Sequence, residues 1–198
     1  MPNLDLTVRY LRHGTDDGIP CLEPAIHLQE RAWSVPAEQS ALVLVDCWAE
    51  HFIASHAADS AAIMEERLAP VLDAARKAGV LIAHAPSPTY IQAYPQWVAY
   101  ASDQELGYLP APPADDWPPT EFRRREGEFA AFARPKEPRV VEWVKDPSRY
   151  RIHDVVTPQT GDFVIKNGDQ LHRLLKHRKR FHLFYAGFAT NMCILYRD

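Results

Sequence analysis

The sequence predicts an α/β fold built on a parallel sheet. Three observations lead there: short, continuous apolar runs instead of alternating ones, an amphipathic helical stretch between the first two runs, and the return of the same rhythm near the C-terminus after a long interruption. Continuous runs of valine and leucine mark strands buried on both faces, as parallel strands are when helices cover them. The 198 residues suffice for one such domain. With 46% hydrophobic and 24% charged residues, the composition is that of an ordinary globular protein.

Residues 1–40 read as an N-terminal extension. Thr7–Arg12 and Ala25–Gln29 are strand-like, and Gly14, Asp16, Asp17, Gly18 and Pro20 separate them, which suggests a hairpin-like arm. Residues 41–198 form the α/β domain. Its first strand is Ala41-Leu42-Val43-Leu44-Val45-Asp46. In the helical stretch that follows, at about residues 59–78, Ile63, Leu68, Val71, Leu72 and Ala75 recur at helical spacing. Pro70 should kink it or begin its second half, and Gly79 should end it. Val80–His84 is a second buried strand, completing a βαβ unit. Residues 85–158 break the rhythm and hold twelve of the 17 prolines. A short helix is expected at Thr120–Phe132, and so long an irregular insertion suits a lid, an oligomer contact or a solvated excursion. The rhythm then resumes with a strand at Asp162–Lys166, a turn at Asn167–Asp169, a helix at Gln170–Arg178, a strand at Phe181–Gly187 and a helix opening at Thr190–Leu195.

Charge and composition exclude several classes. A net charge of −4 does not suit a general nucleic-acid binder. The basic stretch His172–His182 reads as a solvated helix end, where cations complement the helix dipole. No apolar run approaches the ~18 residues of a membrane span. The N-terminus lacks a basic region followed by an apolar core, and the three cysteines have no disulfide-framework spacing, so a cytoplasmic protein without a signal peptide is expected. There is no glycine-rich nucleotide fingerprint and no phosphate loop.

Chemistry converges at the strand ends. In an open parallel sheet, ligands bind beyond the carboxyl ends of the strands. The first strand ends in Asp46, the second in His84 and the third in Lys166, while the fourth runs through Gly187 into a turn that delivers Cys193 at a helix start. A thiol is a strong nucleophile only as thiolate, which a helix N-terminus and a nearby ammonium both favour. A carboxylate within reach can take the thiol proton and return it to a leaving amine. Taken singly, each residue has an ordinary reading: Asp46 as a cap, Lys166 as a surface residue, Cys193 as a small buried hydrophobe. Their conjunction at one sheet edge favours the chemical reading. Cys47 should point away from Asp46, and Cys21 lies in the arm.

At these residues the sequence resembles the isochorismatase-like cysteine hydrolases, the superfamily that includes nicotinamidases and N-carbamoylsarcosine amidohydrolases. The matching segments are Ala41–Asp46 with Phe52 shortly after, Asp162–Lys166, and Gly187-Phe188-Ala189-Thr190-Asn191-Met192-Cys193. The resemblance implies a three-layer sandwich around a parallel, Rossmann-like sheet of about six strands. The chain shows only four, so it reads as lacking the last strands and as C-terminally incomplete. It also implies a triad of Asp46, Lys166 and Cys193, an oxyanion hole from the backbone N–H groups of Ala189 and Cys193, a cis peptide at Phe188–Ala189, and, more weakly, a homo-oligomer. Nicotinamidases of this family bind a metal through an Asp-x-His and a further His after the second strand. The segment His84–Tyr90 has no such set, and His51, His56 and His84 lack ligand spacing, so neither metal nor other cofactor is expected and nicotinamide is disfavoured as substrate. Isochorismatases proper cleave a vinyl ether without a cysteine nucleophile, so Cys193 favours amide-type hydrolysis.

The expected function is therefore hydrolysis of a small amide, carbamoyl or related C–N substrate through a thioester. The alternative is a catalytically inactive binding or assembly protein of the same fold, and a histidine-based metallohydrolase is a third reading. Trp48, Phe52, His84 and Tyr90 are the candidate substrate-binding residues. Trp48, Phe52, Tyr90, Tyr94 and Trp97 suit an apolar pocket, and equally ordinary loop packing or a subunit contact.

Overall fold

The computed structural model describes residues 2–87, 91–97, 117–135 and 137–196. Its centre is a four-stranded parallel sheet made of β3 (Ser40–Val45), β4 (Leu81–Ala85), β5 (Phe163–Val164) and β6 (His182–Gly187), in the order β5-β4-β3-β6. β1 (Asn3–Leu11) and β2 (Leu28–Pro36) form a separate antiparallel ribbon, with Asn3 opposite Pro36 and Leu11 opposite Leu28. The ribbon is tied down at its base, where the Ala37 N–H donates to the Pro2 carbonyl (3.1 Å) and Leu4 packs against the core.

β3 is buried at every position. Its alternation splits the core into two layers. Leu42 and Leu44 join Ile82, Met64, Leu72, Ile152 and Val156 on one face. Ala41, Val43 and Val45 join Leu81, Ala83, Ile165, Leu171 and Leu174 on the other. Helices lie on both faces, which is why the strands read as continuous apolar runs.

α1 (Ala54–Ile63) runs into a π-helical turn at Met64–Leu68 and then α2 (Ala69–Ala78), and it is the turn and α2 that supply the side chains covering the first face. Pro70 has no N–H to give to the residue four back, and the turn takes up this loss with an i+5 bond from the Ala69 N–H to the Met64 carbonyl. Fully burying Leu72 contributes about 2 kcal/mol. Gly79 ends α2 at φ +82. The opposite face is covered by α5 (Gly168–Arg178), whose Asn167 side chain caps it by accepting from the Gln170 N–H (3.0 Å). Its last turn carries Lys176, His177 and Arg178, the basic stretch of the sequence, placed at the negative end of the helix dipole.

Within the insertion, α3 (Thr120–Arg124) and α4 (Pro138–Trp143) are short, and a 3-10 helix at Gly127–Phe132 replaces the second half of the helix expected there. The third strand is shorter than expected. Only Phe163 and Val164 are in register with β4; the Asp162 N–H turns instead to the Gln159 carbonyl (3.0 Å), and beyond the strand the Ile165 N–H still donates to the His84 carbonyl (2.9 Å). α6 (Cys193–Tyr196) begins three residues later than expected, since Thr190–Met192 form a turn. Among the described residues no helix is long and apolar enough to cross a membrane.

Candidate active site

The chain proceeds outward from β3 to β4 and β5, then returns past β3 to form β6. The sheet therefore reverses its winding between β3 and β6, and the crevice beyond their carboxyl ends is where such sheets bind ligands. Asp46 follows β3 and Phe188 follows β6, and the Phe188 N–H donates to the Val45 carbonyl (3.0 Å).

Gly187 is what lets the two strand ends meet. It sits at φ +131, and a Cβ placed there would lie 1.9 Å from the Val45 carbonyl oxygen. Only glycine fits this approach. Ala189 then takes a left-handed conformation at φ +56, and its carbonyl accepts from both the Met192 N–H (2.9 Å) and the Ile194 N–H (3.3 Å). These bonds turn the chain so that Cys193 opens α6. The Phe188–Ala189 peptide is trans, contrary to expectation; the reversal is made by the positive φ angles at Gly187 and Ala189 instead.

Cys193 is half-buried and lines an open cleft of about 440 Å³. Trp48, His51, Phe52, His56, Phe188 and Met192 make half of the remaining wall. The rings form a contiguous cluster. Trp48 lies 5.7 Å from Phe188 and 5.0 Å from His51, and His51 stacks on Phe52 at 4.4 Å. Of the expected substrate-binding residues, Trp48 and Phe52 thus face the cleft. Tyr90 lies outside the described residues. Tyr94 instead accepts the Ile152 N–H (2.7 Å) and packs against the core, and Trp97 bridges to Val164.

Asp46 is buried, at 2% exposure, with φ +48. It accepts from Ser87 Oγ (3.2 Å) at Oδ1. Cys47 turns into the core below, and burial, with the Asp46 charge added, pushes its thiol up to about 12. That thiol is inert at neutral pH. Lys166 stands beyond β5, and strands two apart lie roughly 10 Å from one another. Its side chain is exposed and makes no ion pair among the described residues; its N–H donates to Gln170 Oε1 (2.6 Å). Asp46 and Cys193 thus follow the neighbouring strands β3 and β6 at one sheet end, with Cys193 on the cleft wall and Asp46 buried behind it, outside the lining, while Lys166 stands at the solvent edge of the same sheet end.

His84 corrects the sequence reading. It is 1% exposed and absent from the cleft wall, because β4 alternation sends it to the face of the sheet that α2 covers. There its Nε2 lies 3.3 Å from Asp162 Oδ2. Asp162 also accepts from Arg76 of α2 and from the Gln159 N–H (2.9 Å). Burial by itself would raise the Asp162 pKa, but the bonds from His84, Arg76 and Gln159 outweigh it and hold the carboxyl at about 2. Burial lowers the His84 pKa more than Asp162 raises it, so the imidazole is held in its neutral form. This Arg76–Asp162–His84 network clamps the end of the insertion to α2 and β4, a structural role.

The sequence reading missed His51, His56, Phe188 and Met192 as cleft residues. The signal was the density of rings just after Asp46, in Trp48-Ala49-Glu50-His51-Phe52. It also missed Arg76, which falls four residues after Leu72 and so on the buried side of α2. Among the described residues no group of three or more histidine, cysteine or acidic side chains is arranged to hold a metal ion.

An open parallel sheet with a thiol-lined cleft at its winding reversal defines a protein of the α/β class, with the cleft where such sheets bind ligands. The isochorismatase domain model matches residues 40–197, and the chain belongs to that family, whose hydrolase-type fold this sheet and its flanking helices reproduce. No curated protein matches the chain.

Proposed function

We propose that the chain is a cysteine hydrolase acting on a small amide, carbamoyl or related C–N compound. The observation that carries this reading is the position of the Cys193 side chain on the wall of an aromatic cleft, at the crevice where Asp46 ends the neighbouring strand. Sγ attacks the substrate carbonyl carbon while Asp46 accepts the thiol proton. The negative charge that develops on oxygen is met by the backbone N–H groups of Ala189 and Cys193, each such donor being worth about 3 kcal/mol of barrier. Asp46 returns the proton to the leaving nitrogen, the C–N bond breaks, and water hydrolyses the thioester to the acid. Lys166 supplies positive charge from the edge of the site.

The test is ammonia release from a panel of small primary amides. Cys193→Ala should abolish it while leaving the far-UV spectrum unchanged, and full activity in that variant would end the proposal. The exposure of Lys166 favours a second reading, a binding protein that keeps the fold without the reaction. On that reading Cys193 reacts with iodoacetamide no faster than the exposed Cys21. As a nucleophile, Cys193 should react faster.

A further inference from the structure

His51 sits at the centre of the ring cluster, touching Trp48, Phe52 and His56, and it is fixed by more than stacking. The Ile53 N–H points at its Nδ1 from 3.1 Å. A backbone N–H is always a donor, so Nδ1 is the accepting nitrogen, and a neutral ring must carry its hydrogen on Nε2. Neutrality has its own support. Burial lowers the His51 pKa and the neighbouring His56 lowers it further, at 5.4 Å between ring centroids. Among the described residues Nε2 has no hydrogen-bond partner. The rest of the wall is apolar and aromatic apart from His56, Asp59, Ser60, Asn191 and Cys193.

We propose that His51 is a specificity-determining residue that donates from Nε2 to an uncharged acceptor on a flat substrate lying in the cleft. The inference rests on the reading of the cleft as a substrate site but not on turnover. A flat molecule is the form that the Trp48, Phe52 and Phe188 rings accommodate at van der Waals distance. A donor of fixed tautomer among apolar walls discriminates strongly, because a ligand without an acceptor leaves the donor desolvated and unpaired. His51 cannot serve as a general base in this state, since its one lone pair is already taken by Ile53. It reads the substrate and leaves proton transfer to other groups.

The experiment uses the full chain carrying Cys193→Ser, so that binding is measured without chemistry. Long-range 1H–15N correlation spectra of the imidazoles should show His51 with hydrogen on Nε2 and a bare Nδ1. Calorimetry with benzamide and the three pyridinecarboxamides, which differ only by a ring CH replaced with an acceptor nitrogen, should find at least one pyridine isomer bound at least tenfold tighter than benzamide. His51→Phe keeps the ring stack and removes the donor, and it should bring that ratio to near one. Hydrogen on Nδ1, no saturable binding of any isomer, or the same ratio in both proteins would overturn the inference. If the unaltered chain, with Cys193 in place, releases no ammonia from any small amide while the ratio is intact, the hydrolase proposal is refuted and this one is spared.

Discussion

Replacing Gly187 with alanine tests the architecture of the crevice at a single atom. The added Cβ would lie 1.9 Å from the Val45 oxygen, 2.8 Å from its carbonyl carbon and 2.9 Å from its nitrogen. All three are backbone atoms of the central strand, so no side chain can swing aside. A non-glycine residue held at φ +131 adds ~1–3 kcal/mol of conformational strain. Relief requires β6 to part from β3 at its end, losing the Phe188–Val45 bond and leaving two buried polar groups unpaired, at ~1–3 kcal/mol. The sum is roughly 4 kcal/mol, or about 8–16 °C in Tm for a chain of this length. Thermal unfolding followed by far-UV circular dichroism measures it. Gly79→Ala is the control: its φ is +82 but nothing lies within 4 Å of the added atom, so it bears strain alone and should lose only ~1–2 kcal/mol. If Gly187→Ala unfolds at the same temperature as Gly79→Ala, the close approach does not exist and the crevice has been misread.

Cys47 should resist iodoacetamide at pH 8 in the native protein and react only on unfolding, since a thiol held at about 12 has roughly a thousandfold less thiolate than an ordinary one; peptide mapping that finds Cys47 alkylated as fast as Cys21 would contradict its burial. Asp162→Ala should cost ~3 kcal/mol in urea unfolding, because it takes from buried His84 its carboxylate and leaves Arg76 only the Thr157 carbonyl and the exposed Asp73. Stability should fall on acidification in two windows. His84 has a lowered folded pKa, so below the ordinary histidine value the unfolded chain gains a proton that the folded one refuses, and stability drops by up to ~1.4 kcal/mol per pH unit. Asp162 adds a further loss of roughly 2 kcal/mol between about pH 4 and about pH 2. His84→Gln keeps a donor to Asp162, and should flatten the first window and leave the second; an unchanged slope near neutrality would assign that window to another group.

What the sequence made legible was whatever periodicity or local chemistry encodes. β3 and β4 announce themselves because burial on both faces leaves them no polar position. Pro70 and Gly79 mark the joints of the helical stretch by what their backbones cannot or can do. Gly187 stood inside a recognisable motif, although its reason, the carbonyl of a strand more than a hundred residues earlier, is visible only in three dimensions. The ends of long-range pairings were not legible. His84 reads as a strand-end residue facing the ligand until Asp162, 78 residues on, is seen to claim it. Lys166 reads as a third member of a converging set, but the sheet order puts two strand spacings between its strand and that of Asp46. His51 carried no spacing signal, because its role depends on one backbone N–H and on rings drawn from two separate strand ends.

The left-handed backbone at Asp46 constrains how its chemistry can be probed and how the position can vary. Asparagine and aspartate tolerate that conformation better than other side chains, with glycine freer still. Alanine at 46 would therefore disturb the path of β3 into the crevice together with the charge, and its loss of activity would be uninterpretable. Asparagine keeps the backbone and the size while deleting the carboxylate to which the proposed mechanism gives the proton. The admissible alphabet at this position is set by geometry before any selection for catalysis acts. A chain that had abandoned the reaction would still be held to Asp, Asn or Gly there, so an acid at position 46 by itself speaks for the turn, and the thiol at position 193 speaks for the chemistry.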